Sequence, residues 1–204
     1  QFFDANRAAL IEATSPADYA WARQDIVAAR QLQTLFEVSR APAVDGALRP
    51  GDYRADAARD AAMAENARWA LDRVGADGRM LLFAHNGHVM NARTRGGIWT
   101  VYSRPPAAMG LHLRRNLGRD LLIIGASSAA GGGGKAIRPG TVDVLLASAG
   151  VPQFVIDFRS DAPAWLSRDQ SISVNYDAEN VIQPRQAFDG LAHFDKLTPS
   201  RLVR

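Results

Sequence analysis

The sequence predicts an α/β domain: a parallel central sheet flanked by helices, with a helical N-terminal part. Three observations predict it. Met80–Ala84 (MLLFA) is an uncharged run bounded by Gly78 and Asn86-Gly87, the pattern of a strand buried on both faces. Asp120–Ala126 (DLLIIGA) and Gln153–Phe158 (QFVIDF) are two more such runs, and helical segments fall between the three. Strands alternating with helices imply right-handed crossovers and a parallel sheet covered on both sides. With 204 residues the chain is long enough for a sizeable core, and residues 1–204 read as one domain.

The elements follow in order. Residues 1–40 read as helical, interrupted at Ser15-Pro16. Asp18 is a candidate cap for a second helix, whose Trp21, Ile26, Val27, Leu35 and Phe36 recur at packing-face spacing. Residues 41–51 (APAVDGALRPG) form a loop, by their two prolines and two glycines. Asp52 then opens the most regular helix, which ends near Val74 with Gly75 as its stop. Ala57, Ala61, Ala64, Leu71 and Val74 make a stripe of mostly small side chains, suited to close approach to a sheet. Asp56, Arg59, Met63 and Asn66 share another face. Spacing alone favours a solvated surface there over one in which Arg59, Asp60, Glu65 or Asn66 reaches the sheet edge.

Residues 91–108, rich in Gly, Pro and Arg around an apolar patch at Ile98–Tyr102, are too long for a simple connection and predict a lid or binding loop. Met109–Leu117 is a short helix stopped by Gly118, and Thr141–Ala149 a helix stopped by Gly150. Further strands are expected at Ile172–Tyr176 and around Leu191–Phe194.

Composition narrows the chemistry. There is no cysteine, which removes disulfides, thiolate metal sites and a cysteine nucleophile. The net charge is +3, only Lys135 and Lys196 are lysines, and the arginines are scattered rather than gathered into a nucleic-acid face. No run is long enough to span a bilayer. The opening QFFDANRAAL lacks the form of a secretion signal and looks like the interior of something longer. The reading favours the cytoplasm, with the periplasm and secretion left open.

A serine nucleophile elbow is missing: the nearest match, Gly125-Ala126-Ser127-Ser128-Ala129, lacks the final glycine. Gly131–Gly134 and Lys135 suggest a phosphate loop, but Ala136 stands where magnesium binding needs Ser or Thr. His85 and His88 have no third ligand at zinc-site spacing, so no metal and no cofactor are expected. What remains is acid–base work. Histidine titrates near neutrality, and Asn86 with the Gly87 backbone can orient a ring or donate to an oxyanion. In open α/β sheets ligands bind beyond the carboxyl ends of strands, where the histidines are expected. Two hydrogen-bonded structural histidines remain an equal alternative on residues alone.

RDAAMAEN (59–66) followed by LLFAHNGHV (81–89) resembles the paired signature of the erythromycin esterase family. The resemblance continues through MGLHLRRNLG (109–118), LLIIG (121–125), FVIDFR (154–159) and FDGLAHFDKLTPSRLV (188–203), covering essentially the whole chain. It implies a helix-wrapped parallel sheet and a bacterial macrolide-resistance activity. In that activity water opens a lactone ester without a covalent acyl intermediate. It also implies that His85 matches an essential histidine beside the reacting carbonyl and that His88 supports it. Arg59, Asp60, Glu65 and Asn66 would then brace the histidine loop or line the cleft, with Arg59 facing anionic charge.

Members of that family are about twice as long, and their first half carries the base histidine and its glutamate. This chain has no histidine before His85. The expectation is therefore the C-terminal portion of a longer enzyme, or a diverged form, that hydrolyses esters poorly alone. Its expected partners are a small ester or lactone and the missing N-terminal half. A second class stays open: a non-catalytic module that holds haem, iron or a small ligand through His85 or His88.

Overall fold

The computed structural model describes residues 2–39, 54–101, 105–130, 138–161, 163–175 and 178–197. The expected 41–51 loop, the start at Asp52, the glycine tract with Lys135, and Tyr176 lie outside the described residues.

The N-terminal part is helical as expected: α1 (Phe2–Ala5), α2 (Arg7–Ala13) and α3 (Pro16–Ser39). The cap of α3 is Ser15 rather than Asp18. Its Oγ accepts the Asp18 N–H at 3.1 Å and bonds the Asp18 carboxylate at 2.7 Å, with Pro16 opening the helix. The expected packing face of α3 is largely open, since Tyr19 is its one buried residue while Trp21 and Phe36 are exposed.

Helix α4 (Arg54–Val74) packs on α3. Gln24 donates to Asn66 (2.7 Å), Asn66 to Gln31 (3.0 Å) and Gln31 to Glu65 (2.8 Å), while Trp21 meets Trp69 edge-on at 4.6 Å. The buried stripe of α4 runs Asp60–Ala64–Ala67, rotated from the predicted one. It faces not a sheet but α6 (Met109–Leu117), through Met109 and Leu113. Gly75, at φ +93°, ends α4 as predicted.

Met80–Ala84 corrects the sequence reading most sharply. The segment belongs to no strand, and Leu81 and Phe83 are 93% and 96% exposed. Uncharged composition alone does not make a buried strand; a neighbour on each edge and a layer on each face are also needed. Here only the Ala84 end packs inward, against α4 and α6.

The central sheet is mixed. Strand β1 (Ile124–Ser128) pairs in parallel with β5 (Gly190–Phe194), and β5 pairs antiparallel with β2 (Gln153–Asp157), giving the order β1-β5-β2. Helix α7 (Val142–Ala147) lies between β1 and β2 in the chain.

A hairpin the sequence reading half anticipated, β3 (Gln170–Asn175) with β4 (Ala178–Ile182), forms a second small sheet. Thr141 caps α7, and Asp143, buried within it, accepts the Ser173 N–H at 2.8 Å to bind hairpin to helix. Helix α8 (Pro184–Ala187) leads into β5.

The described parts of residues 91–108, namely 91–101 and 105–108, are stitched down rather than forming a free lid, and Tyr102 of the expected apolar patch lies outside the described residues. Arg93 bridges Ala107, the Arg95 N–H donates to Asn180 Oδ1 (2.8 Å), and the Arg95 guanidinium pairs with Asp169 (2.7 Å). Among the described residues no helix is long and apolar enough to cross a membrane.

Candidate active site

The site is built on α5 (Asn86–Val89), a single helical turn. His85 is its N-cap, in extended conformation at φ −64° and ψ 149°, and its Nδ1 accepts the Gly87 N–H at 3.2 Å. A ring nitrogen that accepts a backbone N–H carries a lone pair. In the neutral ring the proton is therefore on Nε2. The His85 ring is exposed.

His88 is held in the opposite sense. Its Nδ1 lies 2.9 and 3.2 Å from the two oxygens of Asp60, which is buried on α4. A carboxylate only accepts, so His88 Nδ1 carries the proton and Nε2 is left as an acceptor. Asp60 Oδ1 also takes the Met109 N–H at 2.8 Å, at the start of α6. One carboxylate thus ties α4, α5 and α6 together. The solvated-surface reading of the α4 face fails at this position: Asp60 reaches His88.

Asn86 fastens the turn to the sheet. Its Nδ2 donates to the Ala126 carbonyl (2.6 Å), and the Ala126 N–H donates to Asn86 Oδ1 (2.8 Å). The side-chain amide pairs with β1 much as a neighbouring strand does.

Gly110 completes the packing: a Cβ there would lie 1.7 Å from the Val89 carbonyl oxygen, so α6 approaches α5 only because that side chain is absent. The sequence reading assigned Gly110 no function, although it falls inside the MGLHLRRNLG stretch. Nothing in its spacing reveals the close approach.

The remaining candidates divide. Arg59 is exposed, next to Asp60. Glu65 and Asn66 bond α3 instead of the histidine turn. The structure thus brings His85, Asn86, His88 and Asp60 together and places Glu65 and Asn66 on the helix–helix contact.

A serine–histidine pair the sequence reading did not single out, Ser127 Oγ to His193 Nδ1 at 3.2 Å, lies on the covered side of the sheet. Both residues are almost wholly buried, which keeps Ser127 from serving as a substrate-accessible nucleophile. Among the described residues no group of three or more His, Cys, Asp or Glu side chains is placed to hold a metal ion. A cavity of about 280 Å³ opens in the helical part between Arg7, Tyr19, Arg23, Trp69 and Arg73, and no histidine lines it.

With this geometry in view, the comparisons with known proteins are consistent. A family model described as erythromycin esterase matches residues 2–197. No curated protein matches the chain. Among solved structures, a Bacillus cereus protein is 23% identical, with a TM-score of 0.75 over 100% of this chain and 51% of its own. A succinoglycan biosynthesis protein is 18% identical, with a TM-score of 0.69 over 98% of this chain and 50% of its own. A mutant of the erythromycin esterase EreC in its open conformation is 16% identical, with a TM-score of 0.63 over 96% and 51%. The chain therefore spans about half the length of the solved proteins it resembles.

Proposed function

The chain belongs to the erythromycin esterase family, and from that premise we propose that it supplies the His85 side of a hydrolase site for a macrolactone or another carboxylic ester. The observation that carries this reading is the pair of opposed rings on one turn. His85 offers an Nε2–H donor, and His88, backed by Asp60, offers an Nε2 lone pair.

The two roles suit water addition. An N–H donor set against the ester carbonyl stabilises the negative charge that develops on its oxygen. A lone pair backed by a carboxylate orients water or takes a proton from it, because Asp60 stabilises the imidazolium that forms. Attack by water forms the C–O bond, the alkoxide leaves, and the proton given up by water returns to it. No serine intermediate enters, in keeping with the burial of Ser127. Asn86 and Gly110 act through the others, by holding the turn against β1 and α6.

The family resemblance places the principal base histidine and its glutamate in sequence that has no counterpart here, so the 204-residue chain is expected to hydrolyse esters weakly alone. No observation favours the haem- or iron-binding alternative.

The test is rescue by a soluble base. Purified chain is incubated with erythromycin and with an aryl ester, with and without added imidazole, and hydrolysis is followed by mass gain of water and by aryl alcohol release. The expected result is slow hydrolysis that imidazole accelerates and that His85→Ala reduces by about 10²-fold. Equal rates for the chain and for His85→Ala at every imidazole concentration would overturn the proposal.

A further inference from the structure

We propose that the hollow where α2, α3 and α4 meet is a binding site for a compact phosphomonoester, with arginines on its phosphate and apolar side chains around its organic part. The inference stands on this hollow alone and does not depend on the esterase reading.

Arg7 comes from α2, Tyr19 and Arg23 from α3, and Trp69 and Arg73 from α4, and together they border a cavity of about 280 Å³. Trp69 and Arg73 stand nine and thirteen residues beyond Asp60 on the same helix, about 14 and 20 Å along its axis. The hollow is therefore separate from the histidine turn.

Its charge is one-sided. Three arginines border it, and among the described residues no carboxylate does. Arg23 is answered from beside the cavity by Asp4, at 3.0 Å. Among the described residues no carboxylate pairs with Arg7 or Arg73. Each lies over an aromatic ring instead, Arg73 over Trp69 at 4.7 Å and Arg7 over Tyr19 at 5.8 Å. A guanidinium seated on a ring keeps the N–H donors of its own plane for another partner. The ring also holds the side chain in advance, which lowers the ordering cost of binding. Arg68 shows the contrast: on the same helix but outside the cavity, it is paired with Asp72 at 2.9 Å.

Charge and size select the ligand. With Asp4 set against one of the three arginines, two positive charges remain unanswered at the hollow. A phosphomonoester carries about two negative charges near neutral pH, and its oxygens accept the paired donors of arginine. The volume lies near the lower end of the range for small-molecule sites, about 300 Å³, so the organic part is compact. Ile11, Pro16 and Ala20 give that part an apolar wall. A carboxylate would satisfy only part of the charge, and inorganic phosphate would leave the apolar wall unused. Bound there, the ester would tie together three helices, of which α3 buries only Tyr19 among its described residues.

The experiment titrates the purified 204-residue chain, in a buffer free of phosphate, with phenyl phosphate, inorganic phosphate and benzoate. Nuclear magnetic resonance follows the indole N–H of Trp69 and the Nε–H of Arg7 and Arg73, with thermal melting measured alongside. Phenyl phosphate is expected to shift all three signals saturably with a Kd below about 1 mM and to raise the melting temperature. It should bind about tenfold more tightly than inorganic phosphate or benzoate. Arg7→Gln and Arg73→Gln should each weaken it about tenfold without changing the melting of the free chain. Arg68→Gln, which removes the same charge from the same helix outside the cavity, should leave the affinity unchanged. The proposal is overturned if the three signals show no saturable shift, or if Arg68→Gln loses as much affinity as Arg73→Gln. Affinity for inorganic phosphate or benzoate equal to that for phenyl phosphate would also overturn it.

Discussion

Nδ1 of His88 lies 2.9 Å from the carboxylate of Asp60, a residue 28 positions earlier on a different helix. The contact turns a surface helix into part of the site, since Asp60 simultaneously holds the first N–H of α6 through Met109. Removing the carboxylate leaves two donors without it in a largely buried place. Asp60→Ala is expected to cost about 3 kcal/mol by denaturant titration. His88→Ala, which deletes only one of the two donors, is expected to cost about half as much.

Gly110 sets the spacing between α5 and α6. Because a methyl group there would overlap the Val89 carbonyl, Gly110→Ala is expected to destabilise the fold by about 2–3 kcal/mol despite the better helix propensity of alanine. Thermal melting checks the sign. A neutral or stabilising effect would mean that the helices are not in this contact.

Asn86 couples the histidine turn to β1 through both ends of its amide. Asn86→Asp keeps the acceptor for the Ala126 N–H but sets a carboxylate oxygen against the Ala126 carbonyl. The expected loss is about 2 kcal/mol, and Asn86→Ala should lose less than Asn86→Asp. Amide exchange at Ala126, faster in both variants, locates the effect.

Asp157 provides a pH marker. Hydrogen bonds from the Arg159 side chain, then from its backbone N–H, lower its pKa from 3.8 to about 2. A carboxyl whose folded pKa is depressed stabilises the fold above the unfolded value and loses that contribution as pH falls through the folded one. The window is thus from 3.8 down to about 2, and the effect on stability is small because the pair is exposed. Carbon-detected titration should place the Asp157 midpoint near 2, and Arg159→Gln should move it up toward 3.8.

What the sequence made legible was local. Stop signals at Gly75 and Gly118 lie where α4 and α6 end, whereas α7 already ends at Ala147, ahead of Gly150; each of the three glycines has positive φ, which glycine adopts without strain. Helix α6 spans the predicted residues, and the AHNGH stretch forms a turn with an exposed His85.

What stayed hidden depends on distant neighbours. Whether MLLFA is a buried strand is decided by what lies beside it, and among the described residues nothing covers Leu81 or Phe83. The antiparallel pairing of β2 with β5 is set by its partner strand, and nothing within the QFVIDF run specifies that direction. The Asp60–His88 contact joins elements that no periodicity relates.

The two histidines of one turn are held in opposite tautomers, His85 with its proton on Nε2 and His88 with its proton on Nδ1. Long-range proton–nitrogen correlation spectra of the neutral rings, assigned with single His→Gln variants of the four histidines, test it directly. The expected spectra show His85 protonated on Nε2 and His88 protonated on Nδ1, with His88 reverting to a tautomer mixture in Asp60→Asn. His85 protonated on Nδ1, or His88 unchanged when Asp60 is replaced, would contradict it.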